Sequence, residues 1–485
     1  LPRQEHLEAG DVHLVQNEVE GTLPKRFGLD LITVSPWMVS TLTHMVIVLL
    51  LALVILPQTF KDDLSLTITT EIYAETLGDQ LFLDDANSIV SDEMLDEAPV
   101  LAEIGDIVDD PFAAPPEISL EPGGQVASSN VISTNIGNAL NGREDGRAKE
   151  VLLGTYGGTA TTEGAVGLGL EWLKRNQSND GTWSLKGPYT EGAQFENRVA
   201  ATAMALLAFQ GAGNTPTKGK YKDVVAKGWK ALLAKQNKEG FFEQPDASIN
   251  HKLYAQAQAM IALCELYGMT QDSRYREPAQ AAVDYAQDIQ AEEGGWRYQE
   301  RVDSDMSVTG WFLMGLQSAR MSGLQVKEET LKNVEKFLDS VQDQNGERYR
   351  YQPTRADFTH VMTAEALLCR QYLGWTRTDE RLLRGTDYFR KGHPFFYDKS
   401  ERNVYYWYYA TQVLHHLGGK RWEEWNSVMR QELPENQLKS GKNAGSWDPE
   451  GDDRSNAGRL YVTCLSIYML EVYYRHMPLY GLDTG

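Results

Sequence analysis

Two aspartates one residue apart, Asp303 and Asp305, stand directly ahead of an apolar stretch with helical spacing, Val308 to Ser318. A carboxylate placed there caps the helix by accepting its free backbone N–H groups, or it serves as an acid whose strength its neighbours set. Capping is the simpler expectation. Asp357 and His360, ahead of the next apolar stretch, and His251, ahead of an earlier one, are placed at the mouth of the cavity, the two histidines without an evident partner. The run Tyr405-Tyr406-Trp407-Tyr408-Tyr409 opens a further stretch; consecutive helical positions cover every face, so at least one ring points inward. Together with Tyr254, Trp311 and Tyr461, Tyr405 and Tyr408 are read as lining an apolar or cation-stabilising cavity or its mouth, with packing between helices as the plainer alternative. Glu196, Arg198 and Arg459, like Asp357, occupy similar mouth positions and are read as caps and ion pairs, with binding of a polar ligand as the alternative.

No metal or cofactor site is expected. Cys264, Cys369 and Cys464 lie inside apolar stretches, without the paired spacing of a zinc site or a disulfide framework, and read as small core residues. His415 and His416 are adjacent and cannot share a helix face, which argues against a metal pair. The acidic loop Asp448 to Asp453 lacks the ligand spacing of a calcium loop and reads as solvated.

The elements that must position these residues repeat. Gly169-x-x-Trp172-Leu173-x-x-x-Gln177-x-x-x-Gly181-x-Trp183 returns as Gln236, Gly240 and Phe242, as Gln290, Gly294 and Trp296, and as Gln342 and Gly346, where the closing aromatic is lost. A fifth copy, around Gly385, has His393 in the glutamine's place, and a sixth survives mainly as Gly445-Ser446-Trp447. A period near 50 residues marks a repeat architecture. Between copies lie stretches apolar nearly all round, such as Val199 to Phe209 and Tyr254 to Leu266, with Thr202, Gln258, Thr309, Thr363, Thr411 and Thr463 at one register position. Each repeat is therefore a mixed outer helix, a loop and a buried inner helix, and six such hairpins close into a ring. In the motif, the glutamine is expected to bond the free carbonyls at its own helix end, the glycine to allow the turn and the aromatic to stack over the amide.

The phrase from Gly169 to Trp183 resembles the QW motif of squalene-hopene and oxidosqualene cyclases. Residues 163 to 480 resemble the repeat superfamily of those cyclases and the protein prenyltransferase β-subunits, in particular membrane-anchored bacterial members abundant in planctomycetes. The resemblance implies an all-α (α/α)6 toroid. Class II terpene cyclases protonate an alkene with the middle aspartate of Asp-x-Asp-Asp; Asp303-Ser304-Asp305-Met306 keeps that acid as Asp305 but has Met306 for the last carboxylate. The Asp, Cys and His zinc ligands of the prenyltransferases are missing.

The first third is of another kind. Met38 to Leu56 is long enough to span a bilayer and has His44 as its one ionisable residue. Lys25 and Arg26 before it, against Lys61, Asp62 and Asp63 after it, favour a cytoplasmic N-terminus. The expected order is a cytoplasmic segment 1–36, a transmembrane helix 37–57, an acidic extended linker 58–162 with a short strand, the toroid 163–480 and a tail 481–485. Between Asp62 and Gly142 there are seventeen Asp and Glu and no Lys or Arg, which accounts for most of the net charge of −22. Acidity concentrated in a tether argues against nucleic acid as a partner.

The function expected from these readings is a single-pass protein of the cytoplasmic membrane whose ring lies in the periplasm or outside the cell. The ring would be a non-catalytic binding or scaffold subunit of an envelope assembly, partnered by other envelope proteins or by its own copies, with an apolar lipid or a glycan as ligand. The alternatives are a class II terpene cyclase-like isomerase with Asp305 as acid, and a glycan-active enzyme, which requires two facing carboxylates such as Asp303 or Asp305 with Asp357.

Overall fold

A computed structural model describes residues 146–395, 397, 402–476, 479 and 480, together with Leu140 and Arg143. All belong to one unit, Thr70–Gly485. The proposed transmembrane helix and most of the acidic linker lie outside the described residues. Among those described, no helix is long and apolar enough to cross a membrane.

The domain is mostly helical. After α1 (Gly146–Thr155), hairpins of an outer and an inner helix follow: α2 (Ala160–Arg175) with α3 (Arg198–Gly211), α4 (Lys222–Leu233) with α5 (Ile249–Thr270), and α6 (Ser273–Asp288) with α7 (Met306–Met321). Then come α8 (Glu328–Val341) with α9 (His360–Tyr372), α10 (Glu380–Gly392) with α11 (Val404–Leu417), and α12 (Gly419–Glu435) with α13 (Gly458–Leu470), before a last turn α14 (Val472–Arg475). A two-stranded antiparallel hairpin, β1 (Tyr349–Arg350) and β2 (Phe358–Thr359), precedes α9. Each inner helix packs on the next in the order α3, α5, α7, α9, α11, α13, and α13 returns to α3, so the ring closes.

Burial follows the sequence pattern. In outer helix α8 only Thr330, Leu331, Val334, Phe337, Leu338 and Val341 are buried, one stripe at helical spacing, whereas α11 is buried along its whole length. The inner helices run in the same direction: hydroxyls of Tyr254, Ser307 and Tyr405 meet at their starts, while Ser322 Oγ donates to the Cys264 carbonyl at their ends. The three cysteines are buried and free.

The repeated motif works differently from the expectation. The Gln177 amide donates to the carbonyls of Gly181 and of Val224 on the next outer helix, both at 3.0 Å. Gln236 bridges Gly240 to Pro278 in the same way, and Gln290 bridges Gly294 to Thr330. The indole caps the outer helix instead: Trp183, Trp296 and Trp447 donate from Nε1 to the last-turn carbonyls of Leu173, Ala286 and Leu433. The glycine is needed twice over, because Gly294 has φ +99 and a Cβ there would lie 2.0 Å from the Asn333 carbonyl oxygen of the next helix.

The imperfect copies are completed by residues that spacing concealed. In the fourth, Tyr349 takes the aromatic place one residue late and is 0% exposed, while Gln342 accepts from Arg370. In the fifth, the Tyr406 hydroxyl donates to the carbonyls of Phe389 and His393 at the end of α10. In the sixth, Gln437 donates to Gly445 and to Ala165 of α2, joining the last outer helix to the first. Thr202, Thr309, Thr363 and Thr463 accept from the backbone N–H of Trp183, Trp296, Tyr349 and Trp447. Gln256, not Gln258, does this for Phe242, and Thr411 accepts from the Trp425 indole instead.

The helical unit also begins earlier than residue 163. Both α1 and the start of α2 fall within the stretch read as extended linker, and α1 packs on α14. Its own residues are not buried, so no apolar pattern marked it.

Candidate functional site

Asp305 is the N-cap of α7, in extended conformation, with Oδ1 accepting from Val308 N–H at 2.7 Å. Its Oδ2 accepts from the Tyr351 hydroxyl at 2.6 Å, and Arg297 Nε lies 3.4 Å away. The Tyr351 hydroxyl also meets that of Tyr298 at 2.7 Å, and the backbone N–H of Met306 donates to the Tyr351 carbonyl. Asp303 pairs with the same Arg297 guanidinium. Asp305 is 0% exposed, and burial pushes its carboxyl up to about 6 against the opposing pull of Tyr351, the Val308 N–H and Arg297. Both carboxylate oxygens are thus engaged in holding the start of α7 onto the chain beyond β1.

Beside it runs a second network. Tyr254 donates to Ser307 Oγ at 3.0 Å, Ser307 Oγ meets the Tyr405 hydroxyl at 2.6 Å, and Tyr405 lies 3.1 Å from both carboxylate oxygens of Glu365. Glu365 is 0% exposed; burial raises its carboxyl well above the usual range, so the neutral acid is favoured. Gly310 makes room for it, since a Cβ there would meet Glu365 Oε1 at 2.2 Å. The Arg454 guanidinium sits 5.8 Å from the Tyr405 ring centre.

These contacts cross the ring, because α7 and α11 are separated by α9. One layer deeper, Trp311 of α7 stacks on Tyr408 of α11 with ring centres 5.7 Å apart, and Tyr408 meets Tyr468 of α13 at 5.8 Å. Tyr468 donates to the Met204 carbonyl of α3. Trp311, Tyr405, Tyr408 and Tyr468 are all no more than 4% exposed. Below them, a cavity of about 20 Å³ is lined by Trp311, Met314, Tyr408 and the ion cluster of Arg143, Glu265 and Arg475. That is room for about one water molecule.

The structure therefore brings Tyr254, Tyr405 and Asp305 to one end of the ring and Trp311 with Tyr408 to its middle. Tyr461 is half-buried at the start of α13, and burial raises its hydroxyl out of the titrating range. Asp357 is exposed ahead of β2, apart from the Asp305 network. His360 stacks on His393 with ring centres 3.6 Å apart and is held down to about 4 by burial and by that neighbour. His251 lies against Phe195, ring centres 4.0 Å apart and planes tilted by 33°. Glu196 accepts from the backbone N–H groups of Leu185 and Asn197, and Arg459 pairs with Glu191 and Asp448 across the closing seam. The loop read as solvated is partly docked: Asp452 is 4% exposed, accepts from Val404 N–H and pairs with Arg402.

Glu365, Tyr351, Tyr298, Ser307 and Arg297 were missed by spacing alone. One signal was present for Glu365, the helix's single carboxylate, set among Ala364, Ala366, Leu367 and Leu368. Tyr351 and Tyr298 lie in loops whose return to α7 no periodicity encodes. Among the described residues, no cluster of His, Cys, Asp and Glu could hold a metal ion.

No protein-family model matches the chain, and no curated protein matches it. Solved structures show distant likenesses. An inactive variant of an α-1,6-mannanase of Salegentibacter, bound to α-1,6-mannotriose, has a TM-score of 0.46 at 13% identity over 65% of this chain and 99% of that one. A type II terpene cyclase from Scytonema with its geranylgeranyl dihydroxybenzoate substrate has 0.44 at 12%, over 65% and 97%. An α-amylase from Clostridium perfringens has 0.43 at 10%, over 64% and 97%.

Proposed function

We propose that the domain is an (α/α)6 toroid serving as a non-catalytic binding or scaffold module, anchored by residues 38–56 and presented outside the cytoplasmic membrane within an envelope assembly. The observation that carries this reading is the filled axis. Contacts across the ring from Ser307 to Tyr405 and from Trp311 to Tyr408 leave these side chains buried against one another. A ring packed through its centre presents its rim and outer surface to a partner.

The cyclase-like reading gains less support. Asp305 spends both oxygens on Val308, Tyr351 and Arg297, and the middle of the ring, where an apolar chain would lie, is taken up by Trp311, Tyr408 and Tyr468, each no more than 4% exposed. A glycan-active reading requires two facing carboxylates, and Asp357 is exposed whereas Asp305 is not.

The test uses the full chain purified in detergent from native membranes. Envelope proteins recovered in constant ratio, identified by mass spectrometry, are the expected result. Turnover of an isoprenoid from a lipid extract, or of an oligosaccharide, that disappears in Asp305→Asn would overturn the proposal.

A further inference from the structure

The outer face of α4 and its flanking loops carry charge of one sign. Between Thr217 and Lys238 stand seven lysines, all exposed, against the single carboxylate of Asp223. The buried stripe of Val225, Gly228, Trp229 and Leu232 turns Lys227 and Lys230 outward. Lys220 pairs with Glu171 of α2 at 3.2 Å, but among the described residues Lys222, Lys227, Lys230, Lys235 and Lys238 pair with no carboxylate. Outer helix α8 is the contrast, because its exposed Lys332 and Lys336 share the surface with Glu328, Glu329, Glu335 and Asp339. Like charges crowded on one face repel, and an anion laid along it relieves the repulsion.

The chain carries such an anion, attached at the right end of the ring. Between Glu71 and Ala139 there are fifteen Asp and Glu and no Lys or Arg, eleven of the acids falling from Asp79 to Asp110. This stretch enters the domain where the inner helices finish. Leu140 packs at Gly268 near the end of α5, where an added Cβ would lie 2.4 Å from Leu140 Cδ1. Arg143 donates to Glu265 at 2.7 Å and to the Arg475 carbonyl at 2.6 Å, and Arg475 donates to the Leu207 carbonyl of α3. From the end of α3 at Gly211, the loop with Lys218 and Lys220 leads into α4 at Lys222, so the lysine face begins at that same end. Leu140 stands thirty positions after Asp110. A flexible chain of that length spans about 30 Å on average, and α4, with 12 residues, is about 18 Å long.

We propose that the acidic stretch from Asp79 to Asp110 docks along the lysine face of α4 in the same molecule. Each exposed ion pair is weak, but the tether holds many carboxylates beside many ammonium groups at millimolar effective concentration. Lysines are point charges on flexible stems, so the contact needs no fixed register. The face is thereby covered against nucleic acid and anionic lipid, and the rest of the ring's outer surface is left for a partner. The inference holds whether or not the ring is catalytic.

Amine acetylation of the full chain in detergent, with the rate of each lysine read by mass spectrometry, tests this, because an ammonium held by a carboxylate gives up its proton less readily and reacts more slowly. The comparison protein has asparagine and glutamine in place of the acids from Asp79 to Asp110. At low salt Lys222, Lys227, Lys230, Lys235 and Lys238 should react about two- to fivefold more slowly in the wild type than in this neutralised variant. At about 1 M salt, where screening acts within about 3 Å, the two proteins should agree. Lys332 and Lys336 should react alike in both throughout. Equal rates at low salt, slowing that survives high salt, or slowing that extends equally to Lys332 and Lys336 overturns the proposal. Slowing that fades on dilution assigns the face to the acidic stretch of a second copy, and slowing in phosphatidylglycerol nanodiscs that the neutralised variant shows in full assigns it to lipid; either overturns the proposal. Should the variant not fold, the wild type alone decides: the five lysines are expected to gain on Lys332 and Lys336 as salt is raised, and no gain overturns the proposal equally.

Discussion

The side chain of Gln437 donates from Nε2 to the carbonyl of Ala165, 2.8 Å away and 272 positions earlier in the chain. This bond, with its companion to Gly445 at 2.9 Å, joins the last outer helix to the first. The staples of Gln177, Gln236 and Gln290 each link a repeat to the one that follows it, but this one closes the ring.

Replacing Gln437 by alanine takes a donor from two carbonyls in a buried setting, and a loss of about 1 to 3 kcal/mol is expected. Gln236→Ala should cost less, because its bond to Gly240 is long at 3.4 Å and the side chain is half-buried. Urea denaturation of the two variants measures the difference. Equal losses would show that the closing seam has no special weight.

Gly294→Ala combines two penalties. Its φ of +99 disfavours any side chain, and the added Cβ would meet the Asn333 carbonyl oxygen at 2.0 Å. Gly323 is the control, with φ +76 and nothing within 4 Å of an added Cβ. Gly323→Ala should cost about 1 to 2 kcal/mol from backbone conformation alone, and Gly294→Ala about 1 to 3 kcal/mol more from forced displacement of the neighbouring helix. Matching values in equilibrium unfolding would refute the close-approach argument.

Asp305 makes stability depend on pH. Its carboxyl moves from an ordinary 3.8 to about 6 on folding, so the folded protein holds the proton more tightly than the unfolded chain. Stability from this group is complete below about pH 4 and falls as pH rises to 6, by about 3 kcal/mol in all. Asp305→Asn keeps an oxygen for the Val308 N–H and removes the titration. The wild type should lose stability relative to this variant between pH 4 and 7; parallel stability profiles would contradict the assignment.

His416 acts with the opposite sign. It is 2% exposed, neither ring nitrogen has a hydrogen-bond partner, and burial lowers it from 6.5 to about 3. Its ring faces Tyr372, His415 and His476, with Arg475 beside His476. The unfolded chain takes up a proton here below pH 6.5 that the folded state refuses, so stability is lost as pH falls, by about 3 kcal/mol at pH 4. His416→Gln should show a shallower acid limb in melting temperature against pH. An unchanged limb would place the acid sensitivity elsewhere.

The repeat frame was legible because its parts are local. A glutamine four residues before a glycine, and an apolar stripe at helical spacing, can be read without knowing what packs on them. Where an insertion broke the spacing, the reading failed although the structural part was present. Gln437 stands eight residues before Gly445, and Tyr349 one residue later than the aromatic in other copies. The glutamine's bonding was misread for a related reason, since its second acceptor, such as Val224 for Gln177, belongs to the next repeat.

By itself the sequence determined a mostly helical chain of repeats, which helices face the core, and a separate acidic stretch behind an apolar segment of bilayer length. Those follow from periodicity and composition, properties of neighbouring residues. Only the tertiary structure decided what the inward residues do. The Tyr254, Ser307, Tyr405 and Glu365 network, the stack of Trp311 on Tyr408 and the seating of Arg143 on Glu265 each join helices or segments far apart in the chain. Close packing across a ring sets whether an aromatic wall encloses space or fills it, and no spacing within one helix carries that information.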